Sequence, residues 1–139
     1  MNAQQIITSL KLAPHPEGGF FRETWRAEGA GRAVGTAIYF LLRGEDENRW
    51  HKVDAAEIWH FYAGAPLILS MSETDEGPAV DHVLGADFTK SEQPQLIVPP
   101  DHWQMARSTG DYTLVGCTVS PGFEFEHFTL APKGFDIPR

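Results

Sequence analysis

Short apolar runs recurring every 8 to 15 residues, cut by Gly, Pro, Asp and Asn, constrain this chain more than any other feature. They are FFRETWR (20–26), GTAIYFLLRG (35–44), AEIWHFYAG (56–64), APLILSMSE (65–73), PAVDHVLG (78–85), QLIVPP (95–100), HWQMARS (102–108), YTLVGCTVS (112–120) and FEFEHFTLA (123–131). Runs of this length, rich in β-branched and aromatic residues, read as strands. Only Ile6, Ile7 and Leu10 fall at helical spacing, which predicts one short amphipathic helix over 2–11. Pro14, Pro16, Gly18 and Gly19 then break any regular element. With no second helical block to supply crossovers between parallel strands, the pattern predicts an antiparallel sandwich or barrel. No linker or low-complexity stretch interrupts the chain, so a single domain over 1–139 is expected.

A net charge of -8 opposes attraction to nucleic acid or to an anionic lipid surface, and neither is expected as a partner. It does not exclude small ligands, because one local cation suffices to hold an anionic group. The single cysteine, Cys117, lies in the apolar run TLVGCTV and reads as a buried small hydrophobe in a reducing compartment. MNAQQIITSLKL lacks the basic start and long apolar run of a secretory leader, and no apolar stretch approaches the ~20 residues that span a bilayer. A soluble, cytoplasmic protein is the expectation.

Chemistry concentrates in WHKVDAAEIWHFYAG (50–64). Strand side chains alternate between faces, so Glu57, Trp59 and Phe61 share one face while Ile58, His60 and Tyr62 share the other. Exposing two large aromatics beside a glutamate is costly, which predicts that Glu57 lines an apolar cavity. Desolvation there raises a carboxyl pKa unless a cation answers it.

These residues resemble the first motif of the cupin superfamily, with His51 at its first histidine, Glu57 at its glutamate and Gly64 at its closing glycine. Val53 stands where a second histidine is usual. In the second motif Pro99 matches the proline, and Gln104 stands at the histidine. Metal-binding cupins use three histidines and the glutamate, so the resemblance implies no metal and no cofactor here. HPEGGFFRETWR (15–26), VLGADF (83–88), PQLIVPPDHWQMA (94–106) and VSPGFEFEHFTLA (119–131) extend the likeness to a small bacterial and fungal cupin family without a settled activity. That family is itself similar to the metal-free dTDP-4-dehydrorhamnose 3,5-epimerases. The likeness implies an all-β fold, a cupin double-stranded β-helix (jelly-roll barrel), and a homodimer exchanging N-terminal strands.

The expected site is a small-molecule pocket for a sugar-like or nucleotide-like ligand. His51 is its general base; Glu57 and Tyr39 are candidates to return the proton, although Tyr39 in an apolar run also reads as core. Phe20, Arg22, Trp59, Phe61 and Gln104 are the ligand-binding candidates, with Arg22 suited to a bidentate grip on an anion. Periodicity leaves open whether Phe20 and Arg22 or Phe21 and Glu23 point inward. Trp50 and Trp103 are expected at the barrel mouth, and His15, His82 and His127 as surface or packing residues. Three readings stay open: a metal-independent epimerase or isomerase of a sugar or nucleotide-sugar carbonyl compound, a non-catalytic binding cupin, and a metal-dependent dioxygenase or isomerase.

Overall fold

Asn2 opens the helix α1 (Ala3–Leu10): its carboxamide accepts the Gln5 N–H while the Gln5 side chain accepts the Asn2 N–H, both at 2.9 Å. Lys11 ends it in the left-handed region at φ 57°. The helix buries Ile6 against Leu12 and Leu41 and so covers one outer face of a sheet. This is a computed structural model describing residues 1–139.

Eleven strands follow: β1 (Ala13–Pro14), β2 (Phe20–Ala27), β3 (Gly35–Arg43), β4 (His51–Val53), β5 (Ala56–Gly64), β6 (Leu67–Ser72), β7 (Val80–Leu84), β8 (Gln95–Val98), β9 (Trp103–Ser108), β10 (Tyr112–Ser120) and β11 (Phe128–Leu130). They form a six-stranded sheet, β1-β2-β3-β10-β5-β8, and a five-stranded sheet, β11-β4-β9-β6-β7, with every strand pairing antiparallel. The sheets enclose Phe40, Leu42, Trp59, Leu67, Leu69, Leu84, Val98 and Val115. Burying a side chain of this size contributes roughly 1.5–3 kcal/mol, so this cluster is the main source of stability.

Three local departures from the sequence pattern shape the site. The register of β2 against β3 slips at Thr24, so residues on either side of it do not keep simple alternation: Trp25 pairs with Ala37 and Arg26 with Thr36. The short strand β4 is absent from the run pattern because only three residues, HKV, are extended. The expected strand 123–131 is instead an irregular segment, a 3₁₀ turn at Phe125–His127 and a strand of three residues, β11. That frees Phe123 and Phe125 to fold over one end of the barrel. Trp50 and Trp103 do not sit at the mouth; the C-terminal segment covers them, with Ile137 against Trp50, and Phe135 against Trp103. The Trp50 indole N–H also donates to Asp136 at 2.9 Å.

Candidate functional site

Inward-facing positions of β2, β3, β5 and β10 meet β4 and the His15–Glu17 segment around a cavity of about 170 Å³. Its walls carry His15, Glu17, His51 and Glu57, with Phe21, Phe123 and Phe125 closing it and Glu23, Arg26 and Glu124 at the rim.

The path of the chain before β2 explains how Glu17 comes inside. Gly18 and Gly19 adopt φ of +99° and +89°, which L side chains rarely reach, and a Cβ on Gly18 would run into the Glu47 carbonyl. The turn drives Glu17 under the sheet edge. There Asn48 donates to its carboxylate oxygen at 2.7 Å and to its backbone carbonyl at 3.2 Å, while the Ala106 N–H holds the Asn48 side-chain oxygen at 2.7 Å. The Arg49 N–H adds a bond to the Glu17 carbonyl at 2.8 Å.

His51 occupies β4 beside Gln104 of β9. Its Nδ1 lies 2.8 Å from the Arg49 carbonyl, which can only accept, so Nδ1 carries the proton. Its Nε2 faces Glu17 Oε2 at 3.1 Å. Burial lowers the His51 pKa, partly offset by the Arg49 carbonyl and by Glu57, while burial raises Glu17 to about 8 against the opposing Asn48 bond. The two shifts agree on a neutral pair at neutral pH, in which the Glu17 acid donates to a neutral imidazole.

Glu57 faces this pair from β5. Burial, and then the nearby Glu17 carboxyl, push it up to about 7; His51, Gln104 and Cys117 pull the other way. Gln104 donates to Glu57 at 2.9 Å and accepts the Trp59 indole N–H at 2.8 Å. His15 completes the set. Burial and the proximity of His51 push it down to about 3, so it is neutral under all ordinary conditions. The Cys117 thiol lines the same cavity but burial raises its pKa well above the usual range, which removes the thiolate a nucleophile needs. The site is thus an apolar chamber holding two carboxyls near their midpoints and two neutral imidazoles.

Among the residues singled out from sequence, His51 and Glu57 both line the cavity. Gln104 lies behind Glu57, and Trp59 lies behind Gln104 in the main core, with half-buried Phe61 packed against that core. Phe20, Arg22 and Tyr39 lie on the opposite face of the sheet: Phe20 and Tyr39 pack around the α1 cluster, and Arg22 sits over the Tyr39 ring and donates to the Leu10 carbonyl. Phe21 and Glu23 are the residues of β2 that point in, which answers the choice periodicity left open. His60 faces outward and bonds the Thr118 hydroxyl at 3.0 Å. His15 and Glu17 are not among the site residues expected from sequence, where His15 reads as a surface or packing residue and His-Pro-Glu-Gly-Gly as a chain break within the family likeness. Two adjacent glycines after a glutamate were the available signal that the glutamate is turned inward.

The sequence matches a family model, described as Cupin superfamily (DUF985), over residues 4–131. The chain belongs to that cupin family. Among solved structures, this cupin is similar to a protein from Shewanella oneidensis, 39% identical, covering 94% of this chain and 85% of that one with a TM-score of 0.89. It is also similar to a hypothetical protein from Leishmania major, 28% identical over 97% of this chain and 90% of the other, TM-score 0.88. Oxalate decarboxylase from Bacillus subtilis shares the fold at 12% identity and a TM-score of 0.65, over 85% of this cupin and 29% of that enzyme. No curated protein sequence matches.

Cupins commonly carry a metal ion, and the four positions that would hold it here are His51, Val53, Glu57 and Gln104. They do not fit one. Val53 has no donor atom, both ends of the Gln104 amide are already bonded, and His51 Nε2 faces Glu17.

Proposed function

We propose that this cupin is a metal-independent proton-transfer enzyme, an epimerase or isomerase of a small sugar-like carbonyl compound. One observation carries the reading: Glu57 and Glu17, with pKa values raised to about 7 and about 8, line one cavity with a neutral imidazole, all three buried. Groups poised near the operating pH are what general acid–base catalysis requires. His51 takes the proton beside the carbonyl at Nε2, the atom that the Glu17 acid otherwise caps at 3.1 Å, and Glu57, in the wall of the same cavity, returns a proton. The chamber of about 170 Å³ compares with a cavity of about 150 Å³ that holds benzene, so the part of the ligand inside is no larger than a small sugar. That size favours a sugar over a nucleotide sugar.

The test is deuterium exchange. Incubated in D₂O with a panel of small ketoses and aldoses, the wild-type protein is expected to label the carbon beside the carbonyl, and His51→Ala to lose the label. Labelling unchanged in His51→Ala would remove His51 as the base. A ligand retained on purification but never labelled would favour the binding-module reading, and near-stoichiometric transition metal in protein purified without chelator would end the metal-independent one.

A homodimer is part of this proposal, and one surface row supports it. Trp25, Ala37, Thr118, Ile58 and Ile97 lie in register across the outer face of the six-stranded sheet, with Trp25 55% and Ile97 61% exposed. An apolar band of that kind marks an interaction surface. Ile97→Lys is expected to halve the mass seen by light scattering; a wild-type monomer would refute the dimer.

A further inference from the structure

The group least explained by proton transfer between His51 and Glu57 is His15. Its Nδ1 accepts the Glu17 backbone N–H at 3.1 Å. A neutral imidazole has one N–H, so the hydrogen is on Nε2. That ring is wedged edge-on against Phe21 at 4.5 Å and packs among Phe40, Phe123, Phe125 and Phe128, none of which accepts a conventional hydrogen bond. Its side chain is 3% exposed, no hydrogen bond reaches Nε2, and that atom is not fully enclosed, so it opens onto the cavity that the ring lines. A donor that opens onto a confined cavity is free for an acceptor that enters it.

Charge around the same cavity is equally lopsided. Four carboxyls line it, Glu17 and Glu57 with raised pKa values and Glu23 and Glu124 at the rim, against one permanent cation, Arg26. Arg26 is already committed: its Nε and Nη2 donate to the two Glu23 carboxylate oxygens at 2.8 and 2.9 Å, and Nη2 also donates to the Phe123 carbonyl at 2.9 Å. A phosphate or carboxylate entering gives up its hydration and finds no free cation to answer its charge. An ammonium group would be welcome near the acids but cannot accept from His15.

We propose that the cavity takes an uncharged carbonyl compound whose oxygen is received by the Nε2–H of His15, and that it rejects phosphorylated and carboxylated compounds. The identity of the acceptor as a carbonyl rests on the proton-transfer reading above; the selection against anions does not. His15 is then a catalytic residue, a neutral electrophile that polarises the C=O while His51 removes the adjacent proton. The Glu17 acid swings off His51 Nε2, the proton leaves carbon for that nitrogen, the electron pair moves onto the carbonyl oxygen, and the negative charge on that oxygen is held by the His15 N–H. Reversal on either face regenerates the carbonyl, so no oxidant or co-reactant enters.

The experiment is a titration of the folded, ¹⁵N-histidine-labelled protein followed through its imidazole nitrogens. In the free protein His15 is expected as the Nε2–H tautomer, neutral down to about pH 3. Paired probes are then added to high millimolar concentration: dihydroxyacetone against dihydroxyacetone phosphate, and hydroxyacetone against pyruvate. At least one uncharged member should move the His15 Nε2–H resonance, with affinity about tenfold or more above that of its anionic partner. His15→Gln, which keeps a donor, should retain binding within a few-fold, and His15→Phe, which keeps the aromatic packing, should lose it. An Nδ1–H tautomer in the wild-type protein, an anionic probe binding as tightly, or no response at His15 to any uncharged probe overturns the proposal, whatever the variants do. Deuterium exchange is read separately. Binding at His15 without exchange sinks the proton-transfer reading and the catalytic role of His15 with it, and leaves standing the His15 contact and the selection against anions. Exchange without a response at His15 overturns this inference and leaves the proton-transfer reading.

Discussion

Two rows of side chains cross the inner face of the same sheet and have opposite contents. In one, Phe21, Phe40, Val115 and Phe61 lie in register, and beyond it the barrel is filled by Trp59, Leu67, Leu69 and Leu84. In the other, Arg26, Thr36, Val119, Glu57 and Val98 lie in register, and here the barrel holds His15, Glu17, His51 and an empty space. The strands are continuous through both rows, so backbone pairing does not account for the difference. The apolar end gains stability from close packing, whereas the polar end keeps ionisable groups out of water and holds them by hydrogen bonds from Asn48, Arg49 and Gln104. One end makes the domain stable, and the other uses part of that stability to shift pKa values.

Breaking the packed end should have the largest effect. Trp59→Ala empties the centre of the core and strands the Gln104 oxygen, and is expected to cost about 3–5 kcal/mol in urea unfolding. A cost below about 1 kcal/mol would mean that the two ends are not energetically distinct.

The next effect is in the pH dependence. Native Glu17 and Glu57 keep a proton that the unfolded chain loses above its ordinary value of 4.5, so each costs stability as pH rises from there, up to about 8 and about 7 respectively. The histidines act in the opposite sense. The unfolded chain gains protons below the ordinary value of 6.5 that buried His15 and His51 refuse, so each costs stability as pH falls. The opposing slopes cancel between 4.5 and 6.5, which predicts a stability plateau there and a decline on both sides. Above the plateau each carboxyl removes about 1.4 kcal/mol per pH unit until its native pKa is reached. Glu17→Gln should flatten the alkaline decline in denaturation curves taken from pH 5 to 9; an unchanged slope would show that Glu17 is ionised in the native protein. The smallest effect is expected at the rim. Arg26→Ala breaks a partly exposed ion pair worth at most about 1 kcal/mol, and its melting temperature should stay close to wild type.

Much of this was legible before any coordinates. The turn-punctuated runs announced an antiparallel barrel, and alternation along AEIWHFYAG put Glu57 inside and His60 outside. The site was read less completely. Arg22 and Tyr39 looked like pocket residues because strand alternation has no absolute phase: a run with an aromatic on each face reads equally well either way up. His15 and Glu17 went unassigned because they lie in a loop, where no periodicity reports burial. Phe123 and Phe125 looked like strand residues because FEFEHFTLA alternates convincingly, yet the chain turns there and pairs only at Phe128–Leu130.

By itself the sequence determined the periodic properties: short strands at regular spacing, the single N-terminal α-helix, and the facing of Glu57, Trp59 and Phe61 toward one interior. Tertiary structure decided what periodicity cannot carry. The left-handed turn at Gly18 and Gly19 brings a loop glutamate to within 3.1 Å of a strand histidine 34 positions away, and the slip at Thr24 chooses which β2 side chains line the rim. The physical reason is that a pKa belongs to an environment. Glu57 could be placed on a face from its neighbours in sequence, but its rise to about 7, against the opposing Gln104 bond, required Glu17 and the residues that bury it to arrive from elsewhere in the chain.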